Sequence, residues 1–242
     1  MELTIGHLYP DLLNLYGDRG NIRCMVKRLN WRGIDAHVKE FQLHDPIDFN
    51  SLDIVLLGGG SDREQKLVCE ELSQIRDDFL HYVEDDGVVL AICGGYQLLG
   101  SYYQMGEEKI PGLSLVDLYT IQKEGRLIGN ITIESDLFPM PITGFENHGG
   151  RTYINRNTPL GKVVHGYGNT EEQSYEGVHY KNVIGTYLHG PLLPKNPILT
   201  DKIIKNAVCK KHPDFLLEDI DSTLENTAHD YIVKRFLGNQ TI

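Results

Sequence analysis

The first hundred residues alternate short apolar segments with helical patterns, and this alternation limits the chain to few folds. Four segments have strand character: residues 3–8, 34–41, 52–57 and 88–92. Helical patterns lie between them, at residues 21–31 and 62–84. Since parallel strands need crossover connections of this kind, the pattern predicts an α/β fold. We expect a mostly parallel sheet with helices on both faces.

The second half of the chain is less regular and shows no repeat, low-complexity tract or linker. Strands are predicted at residues 126–134, 163–167 and 183–187, and terminal helices at residues 198–209 and 224–237. Without a linker, the simplest prediction is a single domain over residues 1–242.

The charge and the cysteine pattern argue against several classes of protein. Lys and Arg total 23 against 34 Asp and Glu, a formal net charge of −11, which disfavours a nucleic-acid binder. The chain lacks an apolar run of membrane-spanning length, and its start does not resemble a signal peptide. We therefore expect a cytoplasmic protein without direct membrane insertion. The four cysteines form no Cys-x-x-Cys pair and the histidines are scattered, so neither disulfides nor a metal site are predicted.

A cysteine stands where the apolar run 88–92 ends. Cys93 is followed by Gly94, Gly95 and a predicted helix, an arrangement that resembles a nucleophile elbow above the carboxyl edge of a sheet. The N–H groups at the helix start favour a thiolate, so we expect the pKa of Cys93 to be lowered. A cysteine taken alone is more often a small buried apolar residue; with the two glycines at a strand end, the two interpretations are equally supported.

A glycine-rich loop, Gly-Gly-Gly-Ser at residues 58–61, follows another buried strand. It can bring a backbone N–H near Cys93, and with the N–H of Gly94 it would form an oxyanion hole. Gly59 is the predicted donor of this loop. The loop is also consistent with a plain βα turn or a phosphate cradle, but the chain carries no complete phosphate-binding motif. We therefore expect that this chain does not itself use ATP.

His189 ends a third strand-like segment, just before Gly190 and Pro191. A cysteine nucleophile needs a base, which is often distant in sequence and adjacent in space. A single histidine is more often structural. In one parallel-sheet domain with a cysteine elbow and a glycine loop, however, the catalytic interpretation of His189 is favoured.

Together these segments resemble the class I glutamine amidotransferases. Residues 93–97, Cys-Gly-Gly-Tyr-Gln, match that family's Cys-x-Gly-x-Gln elbow, and residues 185–191 resemble the histidine segment of its cobyric acid synthase-like subgroup. Residues 58–65 and 144–153 are similar to the small glutaminase subunits of lipid II isoglutaminyl synthases. The resemblance extends from the first strand to the last helices. It implies a three-layer, flavodoxin-like fold with a mostly parallel sheet.

The resemblance implies that the chain hydrolyses glutamine and delivers ammonia to a Mur ligase-like synthetase subunit (MurT). That partner would use ATP and Mg²⁺ to amidate the D-glutamate α-carboxyl of lipid II to D-isoglutamine, in peptidoglycan synthesis. No cofactor is expected in this chain itself. Contact with lipid II would be made through the partner, at the inner face of the membrane.

The resemblance also assigns roles to four side chains. Cys93 would be the nucleophile and His189 the general acid and base. Arg126 matches the family's glutamine-binding arginine, and a guanidinium can bind both oxygens of the substrate's α-carboxylate. From the residues alone, Arg126 would be a solvated charge at a strand end. Gln97 would either contact the substrate or be only a polar residue in the elbow helix.

One position departs from the family pattern. Most triad enzymes of this class have a glutamate two residues after the histidine, where this chain has Pro191. Glu146 and His148 are internal candidates for orienting His189, and our preferred hypothesis is a carboxylate from the synthetase partner. Three alternatives stay open: an amidotransferase subunit for another acceptor such as a corrinoid, a cysteine hydrolase of the DJ-1 type, and an inactive regulatory subunit.

Overall fold

The computed structural model describes residues 1–15 and 17–238, which form two β-sheets and six α-helices. The strands are β1 (Glu2–Leu8), β2 (Asp35–Phe41), β3 (Ile54–Leu57), β4 (Val88–Ile92), β5 (Tyr102–Met105), β6 (Glu108–Pro111), β7 (Tyr119–Glu134), β8 (Ile142–Tyr153), β9 (Gly161–His165), β10 (Tyr175–Glu176), β11 (Val178–Tyr180) and β12 (Val183–Thr186). The helices are α1 (Arg19–Trp31), α2 (Asp62–Ser73), α3 (Arg76–Glu84), α4 (Gly94–Leu98), α5 (Pro197–Lys211) and α6 (Thr223–Leu237).

The first sheet has the strand order β11-β12-β4-β3-β1-β2 and is parallel except at β11. The chain moves from β1 to β2 toward one edge and from β3 to β4 toward the other. Right-handed crossovers therefore place α1 on one face and α2 and α3 on the opposite face. Every residue of β3 and β4 is buried, as expected for strands covered on both sides. The predicted three-layer arrangement is confirmed.

Three neighbouring strands of this sheet end at the same edge. Leu57 of β3 lies opposite Ala91 of β4, and β12 pairs in parallel with β4 on its other side. The glycine loop, Cys93 and the segment leading to His189 therefore leave the sheet side by side, because parallel strands have their carboxyl ends at one edge.

The second sheet is not predicted by the sequence pattern, and it is mostly antiparallel. Its order is β10-β9-β7-β5-β6, and β8 also pairs with β7. β7 has 16 residues, many more than the predicted strand at 126–134. The register between β7 and β8 shifts between Gln122 and Leu127, so the intervening residues form a bulge. This bulge carries Arg126.

The helices follow the predicted pattern with one difference. The helix predicted over residues 62–84 is broken at Gln74 and Ile75, which separate α2 from α3. The two terminal helices, α5 and α6, lie close to their predicted positions. No helix in the described ranges combines the length and the apolar composition needed to cross a membrane.

Candidate active site

Cys93 lies at the sharp turn between β4 and α4. Its backbone has φ 50° and ψ −105°, a strained conformation for a residue with a side chain. Its N–H donates to the carbonyl oxygen of Thr186 at 2.8 Å, which fixes the turn to β12. A Cβ on Gly94 would lie 2.8 Å from the side-chain nitrogen of Gln65, and one on Gly95 would lie 2.7 Å from a backbone oxygen of β3. Position 95 therefore requires glycine, whereas a Cβ on Gly94 would displace the flexible side chain of Gln65. The turn has the geometry of a nucleophile elbow.

The thiol of Cys93 is protonated at rest. Burial, together with the charge of Asp18, raises its pKa to about 12, and the N–H of Gly94 and the charge of Arg126 only partly offset this. The expectation of a lowered pKa is wrong, because burial and the charge of Asp18 outweigh the N–H of Gly94 and the charge of Arg126. Attack by Cys93 therefore requires a base that takes the thiol proton.

A cleft of about 160 Å³ opens at Cys93. Three predicted site residues line it together: Cys93, Gln97 and Arg126. The remaining walls include Gly60, Ser61 and Gln65 on one side, and Gln122, His148, Gly149 and Gly150 on the other. The cleft thus lies where the carboxyl edge of the first sheet meets the β7–β8 pair of the second.

Arg126 reaches the cleft from the bulge in β7. Its Nε donates to Asn147 Oδ1 and its Nη2 donates to the Asn147 carbonyl oxygen, both at 2.8 Å. Its positive charge lowers the pKa of Cys93 and of His189, so it acts on both members of the predicted pair. A guanidinium held in this way at a cleft wall is suited to a substrate that carries a carboxylate.

His189 follows β12 and is fixed to the second sheet. It forms an antiparallel bridge with Phe145 of β8, with backbone hydrogen bonds of 3.0 and 3.1 Å, and the two rings are in edge contact. Its side chain is fully buried. Burial first, and then His148 and two nearby cations, lower the pKa of His189 to about 3. The neutral imidazole is therefore the resting form, which is the form that accepts a proton.

Glu146 and His148 lie on β8, and His148 lines the cleft. The Glu146 carboxylate is fully buried and accepts two backbone N–H groups of the loop after β9, at 2.7 and 2.9 Å. His148 stacks on Tyr187 at 3.6 Å, donates from Nδ1 to the Gly150 carbonyl oxygen at 2.7 Å, and has Nε2 3.6 Å from Glu146. Glu146 thus binds that loop and faces His148. The predictions for the group that orients His189, which are Glu146, His148 or a carboxylate of the partner, stay predictions.

The structure corrects the prediction for Gly59. Its N–H donates to the carboxylate of Asp18 at 2.8 Å and is therefore not available to an oxyanion at Cys93 in this conformation. The neighbouring Gly60 lines the cleft instead. The N–H of Gly94 lowers the pKa of the Cys93 thiol, and its role as an oxyanion donor stays a prediction.

Gln97 lines the cleft and belongs to a chain of hydrogen bonds behind it. Its Nε2 donates to the Tyr187 hydroxyl at 3.0 Å. That hydroxyl lies 2.6 Å from Thr152 Oγ1, which lies 2.8 Å from Thr120 Oγ1. The chain connects α4 to β8 and β7, so Gln97 has a structural role whether or not it contacts a substrate.

Two buried carboxylates beside the site, Asp18 and Glu176, are not identified by the sequence pattern. Glu176 of β10 accepts hydrogen bonds from Thr186 Oγ1 and from the N–H of Tyr187, both at 2.6 Å. Burial raises the pKa of Asp18 to about 6 and that of Glu176 to about 8. Asp18 precedes α1 and resembles an ordinary helix cap in the sequence, and Glu176 lies in an irregular stretch. Only the three-dimensional structure reveals their burial.

The arrangement is suited to acyl transfer. It has a thiol on a strained turn and a guanidinium at the cleft wall. The buried neutral imidazole of His189 follows the neighbouring strand, but His189 is not among the described residues that line the cleft. Within the part of the chain that the structure describes, no group of three or more His, Cys, Asp or Glu side chains is placed to hold a metal ion.

Comparison with known proteins is consistent with this chemistry. The model of the CobB/CobQ-like glutamine amidotransferase domain matches residues 4–197. The lipid II isoglutaminyl synthase (glutamine-hydrolyzing) subunit GatD of Staphylococcus aureus (strain N315) is 47% identical, over 97% of this chain and 96% of its own length. The corresponding subunit of Streptococcus pneumoniae (strain ATCC BAA-255 / R6) is 44% identical, over 87% of this chain and 82% of its own length. The cobyric acid synthase of Listeria innocua is 30% identical, over 87% of this chain but 43% of its own length.

Solved structures support the same fold. A glutamine amidotransferase crystal structure has a TM-score of 0.58 at 18% identity and covers 84% of this chain and 98% of its own. The glutaminase domain of Trypanosoma brucei CTPS, with bound acivicin, has a TM-score of 0.56 at 10% identity, over 91% of this chain and 98% of its own. The matched family model and the full-length relatives confirm the resemblance found in the sequence: the chain belongs to the CobB/CobQ-like glutamine amidotransferase domain family.

Proposed function

We propose that this chain is the glutaminase subunit of a lipid II isoglutaminyl synthase. It hydrolyses glutamine and delivers ammonia to a Mur ligase-like synthetase subunit, which amidates the D-glutamate α-carboxyl of lipid II. The observation that carries this proposal is the 47% identity to the GatD subunit over nearly the whole of both chains. The cleft that groups Cys93, Gln97 and Arg126 supplies the chemistry.

Sequence identity favours this acceptor over a corrinoid. The chain is 47% and 44% identical to the two GatD subunits, and 30% identical to the cobyric acid synthase. ATP and Mg²⁺ would accordingly act in the partner, as would contact with lipid II at the cytoplasmic face of the membrane.

The reaction begins with attack of the Cys93 sulfur on the side-chain amide carbon of glutamine. His189 takes the thiol proton, and the N–H of Gly94 donates to the oxygen that becomes negative. The C–N bond then breaks, and the proton on His189 goes to the departing ammonia. Water, deprotonated by His189, hydrolyses the thioester to glutamate and restores the thiol.

Arg126 is expected to act in substrate binding. Arg126→Ala should lower kcat/KM for glutamine about 10- to 100-fold, mainly through a higher KM, because a charge-assisted hydrogen bond is worth roughly 1.5–3 kcal/mol. Steady-state ammonia release at varied glutamine concentration measures this. Arg156→Ala, at an exposed position, is the matched control. An unchanged KM in Arg126→Ala would contradict the assignment.

The carboxylate that orients His189 would come from the partner, because Pro191 occupies the usual position of the glutamate. Binding of the synthetase subunit should therefore raise glutaminase turnover, by about 10-fold or more if one positioning carboxylate is added. The measurement compares ammonia release by the isolated chain and by the reconstituted complex. Full turnover by the isolated chain, with no gain in the complex, would rule out a positioning carboxylate from the partner.

The acceptor is tested by co-purification with the Mur ligase-like subunit, followed by amidation of lipid II with glutamine and ATP. The expected product is lipid II that carries D-isoglutamine, detected by mass spectrometry. The control for the alternative acceptor is a reaction in which this chain is mixed with a corrinoid acid and the synthetase that amidates that acid. Amidation of the corrinoid and not of lipid II would overturn the proposal.

A further inference from the structure

Asp18 makes a contact that the reaction as described does not require. Its side chain is fully buried immediately before α1, where an aspartate commonly caps the helix, yet it makes no such cap. Its Oδ2 instead accepts the N–H of Gly59 at 2.8 Å. The carboxylate thus serves the glycine loop and not its own helix.

This hydrogen bond connects Asp18 to the nucleophile elbow through the backbone of the loop. Gly58 accepts the N–H of Gly95 at 3.0 Å, and Gly59 is the next residue. A Cβ on Gly58 would lie 2.9 Å from Asp18 Oδ2, so the loop packs directly on the carboxylate. The position of the loop relative to Cys93 therefore depends on Asp18.

The burial of Asp18 is unfavourable for the fold. Its Oδ1 has no hydrogen-bond partner among the described residues, and a buried carboxylate with an unsatisfied oxygen is destabilising.

The charged groups that act on Cys93 come from three elements: Asp18 before α1, Arg126 on β7 and Glu176 on β10. Asp18 has the largest effect of the three and disfavours the thiolate.

We propose that Asp18 is a positioning residue of the glutaminase site, which anchors the glycine loop at Gly59 and places a negative charge beside Cys93. The anchor holds the loop where Gly60 borders the cleft. The charge adds to the effect of burial in favouring the protonated thiol of Cys93. The inference rests on Cys93 being the nucleophile of the proposed function, but not on the identity of the ammonia acceptor.

Two substitutions separate the charge from the anchor. Asp18→Asn removes the charge and keeps an oxygen that accepts the Gly59 N–H, whereas Asp18→Ala removes both. The effect of the charge is measured as the rate at which iodoacetamide alkylates Cys93 in the absence of glutamine. Peptide mass spectrometry follows this rate over a range of pH. Both variants should react about tenfold faster than the wild type near neutral pH, equivalent to about one pH unit. Asp11→Asn, in the same loop but exposed and paired with Arg19, should not differ from the wild type.

The contribution of the anchor is measured as the rate of glutamine turnover in the complex with the synthetase subunit. Asp18→Ala should lose about 10²-fold in kcat with little change in KM, because the glycine loop beside Cys93 is misplaced, and Asp18→Asn should recover most of the loss. Equal alkylation in all variants, or wild-type turnover in Asp18→Ala, would overturn the inference. If Asp18→Ala does not fold, the alkylation of Asp18→Asn decides. A wild-type chain that releases no ammonia, yet shows the alkylation difference, would refute the glutaminase assignment and support the role of Asp18.

Discussion

Replacement of Cys93 by alanine should abolish glutamine hydrolysis, with a loss of more than about 10⁴-fold in kcat. The thioester requires a thiol at the elbow, and among the described residues Cys93 is the one cysteine that lines the cleft. Cys93→Ser should be inactive as well, because a hydroxyl has a higher pKa than a thiol and His189 is a weak base in its buried site. The measurement is ammonia release from glutamine by the purified complex.

Free ammonia supplies the decisive control for this variant. If Cys93 acts only to generate ammonia, the Cys93→Ala complex should still amidate lipid II when an ammonium salt replaces glutamine. Cys209→Ala, on α5 away from the cleft, should retain the glutamine-dependent reaction. Selective labelling of Cys93 by 6-diazo-5-oxo-norleucine is expected in the wild type. Glutamine-dependent ammonia release by Cys93→Ala would show that the nucleophile lies elsewhere.

The parallel sheet could be predicted from the sequence because its strands are buried on both faces and are separated by helices. β4 has its predicted bounds, and β3 lies within the predicted strand. The second sheet could not be predicted, because its long strand β7 contains polar and charged residues on both sides of the bulge at Gly125 and Arg126. A period-2 pattern is lost where a strand bulges.

The site shows the same division between local pattern and tertiary contact. The elbow at Cys93 and the end of β12 before His189 are local features, so their residues could be named from the sequence. Whether the N–H of Gly59 is available to an oxyanion depends on Asp18, which is 41 positions away. No local sequence pattern indicates that contact. The elbow pattern predicts a lowered pKa for Cys93, whereas burial and the charge of Asp18 raise it.

His189→Ala should lower kcat for glutamine hydrolysis by about 10²- to 10⁴-fold in the complex, since the base that takes the thiol proton is removed. The change in KM should be small, because Arg126 still lines the cleft. His189→Gln fills a similar volume but cannot transfer the proton, so an equal loss there would assign the effect to proton transfer. His212→Ala, at an exposed position after α5, is the matched control. Near wild-type turnover by His189→Gln would exclude His189 as the general base.

The pH dependence distinguishes a general base from a merely structural histidine. Burial holds the pKa of His189 at about 3, below the ordinary 6.5, so the isolated chain keeps its base neutral well below neutral pH. A carboxylate supplied by the partner would stabilise the imidazolium and raise this pKa. The acid limb of kcat/KM for the complex should therefore lie at higher pH than that of the isolated chain, and should be missing from His189→Gln. Identical acid limbs would mean that the partner does not place a carboxylate at His189. Any activation by the partner would then have to act through another feature of the site.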